Sequence, residues 1–119
     1  MATLSRIAPE LPVSHLNAAV EHYEQRLGFH TAMRMPAGDY AIVERDGVAI
    51  HLFEVKGSKA SPAGIHIFTS DLDGLFAEFQ RAGVQFAQGI ERKPWGNRDF
   101  RLKDEFGNEL KFTEPMAED

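Results

Sequence analysis

The sequence contains no cysteine, only one tryptophan and only two tyrosines. The absence of cysteine excludes disulfides, thiolate catalysis and Cys-based zinc sites, and it fits a reducing cytoplasm. No apolar stretch approaches the ~20 residues that a membrane span requires, and the start of the chain lacks the pattern of a signal peptide. We therefore expect a cytoplasmic protein with no membrane partner.

Positive charge is also scarce, because 13 Lys and Arg residues stand against 18 Asp and Glu residues, which gives a net charge of −5 at pH 7. Nucleic-acid binding depends on clustered Lys and Arg, so this charge balance argues against a nucleic-acid partner. A chain of 119 residues, 43% hydrophobic and 26% charged, fits a single domain over residues 1–119 with a hydrophobic core.

The closing stretch of the chain has the clearest local pattern. It opens with Pro94-Trp95-Gly96, and two strands of alternating apolar and charged residues follow, joined by a Gly107-Asn108 turn. Period-2 alternation about such a turn predicts a half-buried β-hairpin. A tryptophan between proline and glycine is typical of a stacking surface rather than of a core.

The pattern in the first half of the chain predicts one strand, then one helix, then three strands. The segment 4–13 is extended but interrupted by prolines, which predicts a bent strand at a sheet edge. Ser14 is the candidate N-cap of the helix that follows. Asp46-Gly47, between two alternating runs, predicts a tight hairpin.

The second half repeats this order. Residues 13–29 and 69–84 both pass from an extended residue through a cap and an amphipathic helix to an Arg-x-Gly turn, and a polar connector over 56–63 separates the halves. Each half therefore predicts a βαβββ module, over about 1–57 and 62–114. Pairing two such modules buries sheet surface that neither could bury alone. The predicted fold class is α+β, with two paired βαβββ modules forming a curved mixed sheet around a concave groove and helices on the outside.

These motifs resemble those of the vicinal oxygen chelate superfamily, which contains glyoxalase I, extradiol dioxygenases and bleomycin resistance proteins. The similarity covers nearly the whole chain, and within the superfamily it is greatest to the bleomycin resistance proteins. The most specific part is the terminal signature of Pro94-Trp95-Gly96, then Arg98-Asp99-Phe100, then Asp104 and Gly107-Asn108.

The resemblance implies a homodimer that sequesters a drug, without chemistry, in crevices between the two protomers. Antibiotic resistance is the role it implies, and a bleomycin-type glycopeptide is the ligand class. It also implies that the strand before Pro9 crosses to the other protomer, while the simpler alternative is an ordinary edge strand.

Enzymes of this superfamily hold a divalent metal at four inward strand positions, and we compared each position with this chain. They fall on Ala8, His51, the Gly64 region with His66 two residues on, and Lys111 where the enzymes carry glutamate. A protonated lysine cannot coordinate a metal, so half of the cage is missing. We predict no metal and no cofactor.

Two alternatives remain open. One is a metal-dependent lyase or isomerase of the glyoxalase type, or a dioxygenase-related enzyme, that uses His51 and a displaced ligand set. The other is a structural or regulatory dimer without a ligand. We find no nucleophile elbow, P-loop or dinucleotide fingerprint, and the turn carboxylates of Asp104 and Glu105 are expected to be solvated. The sequence therefore favours binding over catalysis.

The candidate ligand-binding residues come from the loop at Trp95 and from strand faces expected to line the groove. They are Trp95, His51, Phe53, His66, Phe68, Tyr40 and Lys111. Tryptophan offers a face for cations or planar heteroaromatics, although it could instead anchor its loop in a dimer interface. The same alternative applies to Phe53 and Phe68, and the histidines could be ordinary polar groups. Lys111 and Arg101 would put positive charge in the groove and favour an anionic or carbonyl ligand over a cationic drug.

Overall fold

The computed structural model describes residues 2–57 and 60–115; Ser58 and Lys59 of the predicted connector lie outside these ranges. The chain folds as two consecutive βαβββ modules, which confirms the predicted α+β class. The first module comprises β1 (Glu10–Val13), α1 (Leu16–Gln25), β2 (His30–Arg34), β3 (Tyr40–Arg45) and β4 (Val48–Glu54). The second comprises β5 (Gly64–Phe68), α2 (Leu72–Arg81), β6 (Phe86–Arg92), β7 (Arg98–Lys103) and β8 (Glu109–Glu114).

Each module forms its own four-stranded mixed sheet. Sheet A has the order β1-β4-β3-β2 and sheet B the order β5-β8-β7-β6. In both sheets the first strand of the module pairs in parallel with the last, and the other pairs are antiparallel. Within one chain the strands therefore make two sheets, not one continuous sheet.

A single hydrophobic core runs through both modules, on the helix-facing sides of the two sheets. The alternation predicted from the sequence is confirmed, since Ile50, Leu52 and Leu110 are completely buried and Phe112 nearly so. Aromatic rings fill the half of the core next to sheet B. Phe100 stacks on Phe112 at 5.2 Å between ring centroids. The opposite faces of both sheets carry no helix.

The N-terminal strand is shorter than predicted. β1 begins at Glu10, and residues 2–9 belong to no strand. Only the last residue of this arm is tied to the sheet, where the His51 backbone N–H donates to the Pro9 carbonyl at 2.9 Å. Leu4 is fully exposed and Ile7 is 93% exposed. The arm therefore presents two large apolar side chains to solvent.

The prediction that Ser14 caps α1 is wrong. His15 occupies the N-cap position and makes no side-chain capping bond. Instead, the Leu16 backbone N–H donates to the Glu54 carboxylate at the end of β4, at 2.9 Å. In the second module the Leu72 backbone N–H likewise donates to the Glu114 carboxylate at 2.9 Å, and the Asp71 side chain at the N-cap also accepts the Gly74 N–H at 3.0 Å. Each module thus caps its helix with a glutamate from its own last strand.

The turn between β7 and β8 joins the two modules. Asp104, predicted to be solvated, is only 8% exposed. One of its oxygens accepts the backbone N–H groups of Phe106, Gly107 and Asn108 at 2.9–3.1 Å. The other oxygen accepts the Tyr23 hydroxyl of α1 at 2.8 Å and the Asn108 amide at 2.9 Å. Five donors satisfy this buried carboxylate, so hydrogen bonds within the protein replace those that it would make with water.

A second junction lies between β3 and α2. The Arg45 guanidinium donates to both carboxylate oxygens of Glu78, at 2.7 and 2.8 Å, and to the Leu27 carbonyl at 2.8 Å. Hydrogen bonds from Arg45 hold the pKa of Glu78 below its usual range. Bidentate pairing of this kind fixes geometry as well as charge.

Acid is expected to weaken this fold through His22 on α1. Burial lowers the pKa of His22 below its ordinary value of 6.5, against smaller opposing effects of Asp104 and Glu105, while Arg26 lowers it further. Below about pH 6.5 the unfolded chain binds a proton that the folded chain does not. Stability therefore falls as the pH drops from about 6.5 to the lower pKa of the folded state.

The check is the urea midpoint measured between pH 7 and pH 5 for the protein and for His22→Gln. We expect the variant to lose less stability over this interval, since glutamine does not titrate. His15→Gln, which changes an exposed histidine at the N-terminal end of the same helix, is the control. Equal losses in the protein and His22→Gln would contradict the prediction.

Candidate functional site

The open face of sheet A gathers three of the predicted site residues. Tyr40 and Phe53 are opposite each other in the pairing of β3 with β4, and His51 lies on the same face two residues before Phe53. This register follows from the Asp46-Gly47 turn, where Asp46 and Gly47 both adopt positive φ, 50° and 81°. All three side chains are half-buried.

Tyr40 connects His51 to a carboxylate that sequence reasoning missed. The Tyr40 hydroxyl lies 2.6 Å from His51 Nδ1 and 3.4 Å from Glu10 Oε1. The two rings meet edge to face, with 5.6 Å between centroids and 83° between planes. Burial and the Glu10 carboxylate raise the pKa of Tyr40, so the phenol stays protonated and able to donate. Glu10 is paired with His51 across β1 and β4.

A shallow cavity of about 500 Å³ adjoins these residues. Its lining combines aromatic, thioether and carboxylate groups: Met33, Met35, Asp39, Tyr40, Phe53 and Glu54. Methionine and aromatic side chains adapt to varied apolar surfaces, which suits a ligand with flat apolar parts.

The open face of sheet B holds His66, Phe68 and Lys111. His66 and Lys111 are paired across β5 and β8. His66 stacks on Phe68 with 6.2 Å between ring centroids, and its Nδ1 lies 3.2 Å from the Thr113 hydroxyl. Phe68 is 63% exposed. An exposed aromatic pair of this kind is a candidate contact surface.

The cations on this face are neutralised by neighbouring carboxylates. Arg101 lies 3.3 Å from buried Asp99 and 3.9 Å from Glu109, and Lys111 lies 3.4 Å from Glu109. The expected positive groove is therefore balanced in charge. Asp99 and Glu109 lie two residues before Arg101 and Lys111 on the same strands, so alternation places each pair on one face. Sequence reasoning missed this balance because it considered the two cations alone.

Trp95 lies in the loop between β6 and β7, away from either sheet. The loop is closed by two backbone bonds, from Lys93 N–H to the Asn97 carbonyl at 2.7 Å and from Gly96 N–H to the Lys93 carbonyl at 3.0 Å. Gly96 has a φ of 103°, which favours glycine there. The indole is 67% exposed.

The predicted residues thus form two groups in one chain, with Trp95 beyond both. Across the part of the chain that the structure describes, no hydrogen bond, ion pair or ring contact links the group of Tyr40, His51 and Phe53 to that of His66, Phe68 and Lys111.

The donor set in one chain does not fit a divalent metal. His51 and Lys111 are structural counterparts, because each lies four positions after a turn glycine. Glu10 and His66 are counterparts in turn, because Glu10 is paired with His51 and His66 is paired with Lys111. Ala8 lies before β1, so Glu10 and not Ala8 is the first-strand residue beside His51. The prediction that half of the cage is missing is therefore wrong, because only the Lys111 position lacks a metal-ligating side chain. Over residues 2–57 and 60–115, no group of three or more metal-ligating side chains could hold an ion. The Lys111 ammonium, bound to Glu109, supplies no ligand.

Within the described part of the chain, no helix is long and apolar enough to cross a membrane.

The fold is similar to that of proteins of known structure. The chain is similar to a bleomycin-binding protein complexed with bleomycin, at 23% identity and a TM-score of 0.81, covering 97% of this chain and 100% of that one. It is also similar to lactoylglutathione lyase from Agrobacterium tumefaciens, at 17% identity and a TM-score of 0.76, covering 95% and 96%. These likenesses show the fold alone.

An uncharacterized protein of Mycobacterium bovis is 23% identical over 128 residues, which cover 94% of this chain and 84% of that protein. The model of one family, the Glyoxalase/Bleomycin resistance protein/Dioxygenase superfamily, matches residues 3–112. That span includes both helices and every strand up to the middle of β8. The chain therefore belongs to the glyoxalase/bleomycin resistance protein/dioxygenase superfamily.

Proposed function

We propose that this protein is a homodimer that binds a drug-like small molecule and sequesters it, without chemistry, in a crevice between two protomers. The observation that carries the proposal is the open face of sheet A, where Tyr40 and Phe53 line a cavity of about 500 Å³. An open apolar site with a few polar groups is the usual form of a small-molecule site.

The second protomer is needed to complete this site. In one chain the cavity has walls only from the first module, and the exposed rings of Phe68 and Trp95 belong to the second. A partner that brings its sheet B over this sheet A would close the crevice. His66, Phe68, Lys111 and Trp95 would then face Tyr40, His51 and Phe53 across the interface.

A bleomycin-type glycopeptide is the first ligand to test, because a similar fold is known in complex with bleomycin. Charge does not oppose this choice. Lys111 and Arg101 are paired with Glu109 and Asp99, so a cationic group would meet a balanced surface. Resistance to such a drug in the cytoplasm is the role we propose.

Binding is expected to change the fluorescence of Trp95, the only tryptophan in the chain. Isothermal titration with bleomycin gives the affinity, and Trp95→Ala is expected to weaken it by about tenfold, since an aromatic contact contributes about 0.5–1.5 kcal/mol beyond its area. Gln80→Ala, at an exposed position of α2, is the control and should bind as the protein does. The absence of heat and of thermal shift with every glycopeptide tested would remove the drug-binding claim.

A glyoxalase-type enzyme is the second candidate, favoured by the histidines His51 and His66 and by the Glu10 carboxylate beside His51. Elemental measurement of protein purified without chelator separates the two candidates. Stoichiometric nickel, zinc, manganese or iron would favour the enzyme and contradict our proposal.

A further inference from the structure

The geometry points to His51 as a fixed hydrogen-bond donor, held by Tyr40 so that its Nε2–H is presented to the ligand. The site would therefore select a ligand that places a carbonyl or carboxylate oxygen beside a flat apolar group. This inference rests on the proposed function, because it concerns the same crevice. Tyr40 is the positioning residue, and His51 makes the contact.

The distances from the Tyr40 hydroxyl to its two neighbours identify the donor. A phenol has one proton, and here it lies between two acceptors, His51 Nδ1 at 2.6 Å and Glu10 Oε1 at 3.4 Å. An O–H group bonds an oxygen at about 2.5–3.0 Å, and the Glu10 oxygen lies beyond that range, so we assign the phenol proton to the contact with Nδ1. The short contact is therefore donated by the hydroxyl, and Glu10 is only a distant second acceptor.

The tautomer of His51 follows from this assignment. In neutral imidazole one ring nitrogen accepts and the other carries the proton. Because Nδ1 accepts from Tyr40, Nε2 carries the proton. Among the residues that the structure describes, only the Tyr40 hydroxyl bonds to the His51 ring, so Nε2–H is available to a ligand.

The opposite arrangement has a different chemical meaning. If Nδ1–H donated to Tyr40, and Tyr40 to Glu10, the Nε2 lone pair would be free, which is the arrangement of a metal-binding histidine with its supporting partners. The tautomer of His51 thus separates a ligand donor from a metal ligand. That arrangement needs a bond from Tyr40 to Glu10, and their separation of 3.4 Å favours the ligand donor instead.

His51 is also better fixed than His66, the histidine on the open face of sheet B. Its backbone N–H is bonded to Pro9 at 2.9 Å, and its ring packs edge to face on Tyr40. His66 is exposed, and its Nδ1 lies 3.2 Å from the hydroxyl of Thr113. His66 therefore serves as an internal reference for a ring without this constraint.

Phe53 supplies the other part of the recognition. It lies opposite Tyr40 and beside His51 on one sheet face, and both aromatic rings line the 500 Å³ cavity. His51 does not itself line the cavity, so a ligand with its carbons against these rings would extend its acceptor oxygen beyond them to Nε2–H. Benzoate has this form, and benzylamine has the same ring with a donor in place of the acceptor.

The first experiment uses the ¹⁵N-labelled full chain without ligand, and records long-range ¹H–¹⁵N correlations of the histidine rings at pH 8. We expect His51 as the single Nε2–H tautomer in the protein and a mixture of tautomers in Tyr40→Phe, with His66 unchanged. Tyr40 is half-exposed, so the variant should fold. His51 as Nδ1–H, or with equal signals in both proteins, would overturn the inference.

The second experiment titrates the same protein with benzoate and with benzylamine. We expect benzoate to shift the His51 Nε2 signal, benzylamine not to, and Tyr40→Phe to weaken benzoate by about fivefold to tenfold, the effect of one hydrogen bond. Equal shifts with both probes, or none with either, would overturn the ligand class. The tautomer test uses no ligand, so it still decides the inference about His51 if the bleomycin titration fails.

Discussion

Replacing Asp104 with alanine is expected to lower the free energy of unfolding by about 3–5 kcal/mol, because several buried donors would lose their acceptor together. The carboxylate accepts three backbone N–H groups, the Tyr23 hydroxyl and the Asn108 amide. The bonds from the Tyr23 hydroxyl and from the Asn108 N–H and amide are buried, and alanine would leave these donors without an acceptor, at about 1–3 kcal/mol for each one that water cannot reach. The total free energy of unfolding of a domain is about 5–15 kcal/mol, so the expected loss is a large part of it.

Urea unfolding followed by circular dichroism measures this loss. Glu105→Ala changes the next residue of the same turn, which is exposed, and should move the free energy of unfolding by less than about 0.5 kcal/mol. Asp104→Asn keeps the size and one acceptor oxygen, and we expect an intermediate loss. A loss of less than about 1 kcal/mol in Asp104→Ala would mean that water satisfies these donors and that the turn does not hold the modules together.

The position of Asp104 shows why part of the fold could not be predicted. Its neighbours Glu105, Gly107 and Asn108 are typical of an exposed turn, and they do form a turn, but Asn108 is completely buried. Burial comes from Tyr23 on the helix of the other module, and from the Asn108 amide, which donates to the Pro12 carbonyl at 2.7 Å. Nothing near residue 104 in the sequence records these distant partners.

The same reason explains the error at the start of α1. Serine before a helix is a good local signal for a cap. The Glu54 carboxylate, 38 residues away, takes the Leu16 N–H instead, and its position depends on how β4 pairs with β1. Local chemistry predicts which groups need a partner, but tertiary structure decides which partner they receive.

Features encoded in periodicity were predictable. Alternation determines which strand residues face the helix, and the repeated helix and turn pattern determines that there are two modules. The contact between Tyr40 and His51 was also within reach. A two-residue loop at Asp46-Gly47 pairs Arg45 with Val48, which places Tyr40 diagonal to His51. The position of Glu10 beside His51 could not be predicted, because β1 pairs in parallel with β4 and no short turn sets the register of that pair.

The arm at residues 2–9 carries the other large expected effect, on assembly. We expect the double substitution of Leu4→Asp and Ile7→Asp to convert the proposed dimer to monomers. Fully burying a leucine or isoleucine side chain contributes about 1.5–3 kcal/mol, so two per arm and two arms give about 6–12 kcal/mol. A dimer with a micromolar dissociation constant is held by about 8 kcal/mol, which the loss would match.

Sedimentation velocity at micromolar concentration measures the result, and Thr3→Asp with Ser5→Asp is the matched control, since it adds the same charge to the arm without removing apolar surface. We expect the control to remain a dimer. Because Leu4 and Ile7 make no contribution to the core of their own chain, the double variant should keep the urea midpoint of an intact monomer. A protein that is monomeric before any substitution, or a double variant that still dimerises, would leave the exposed arm without a partner and would move the proposed crevice from two protomers to one.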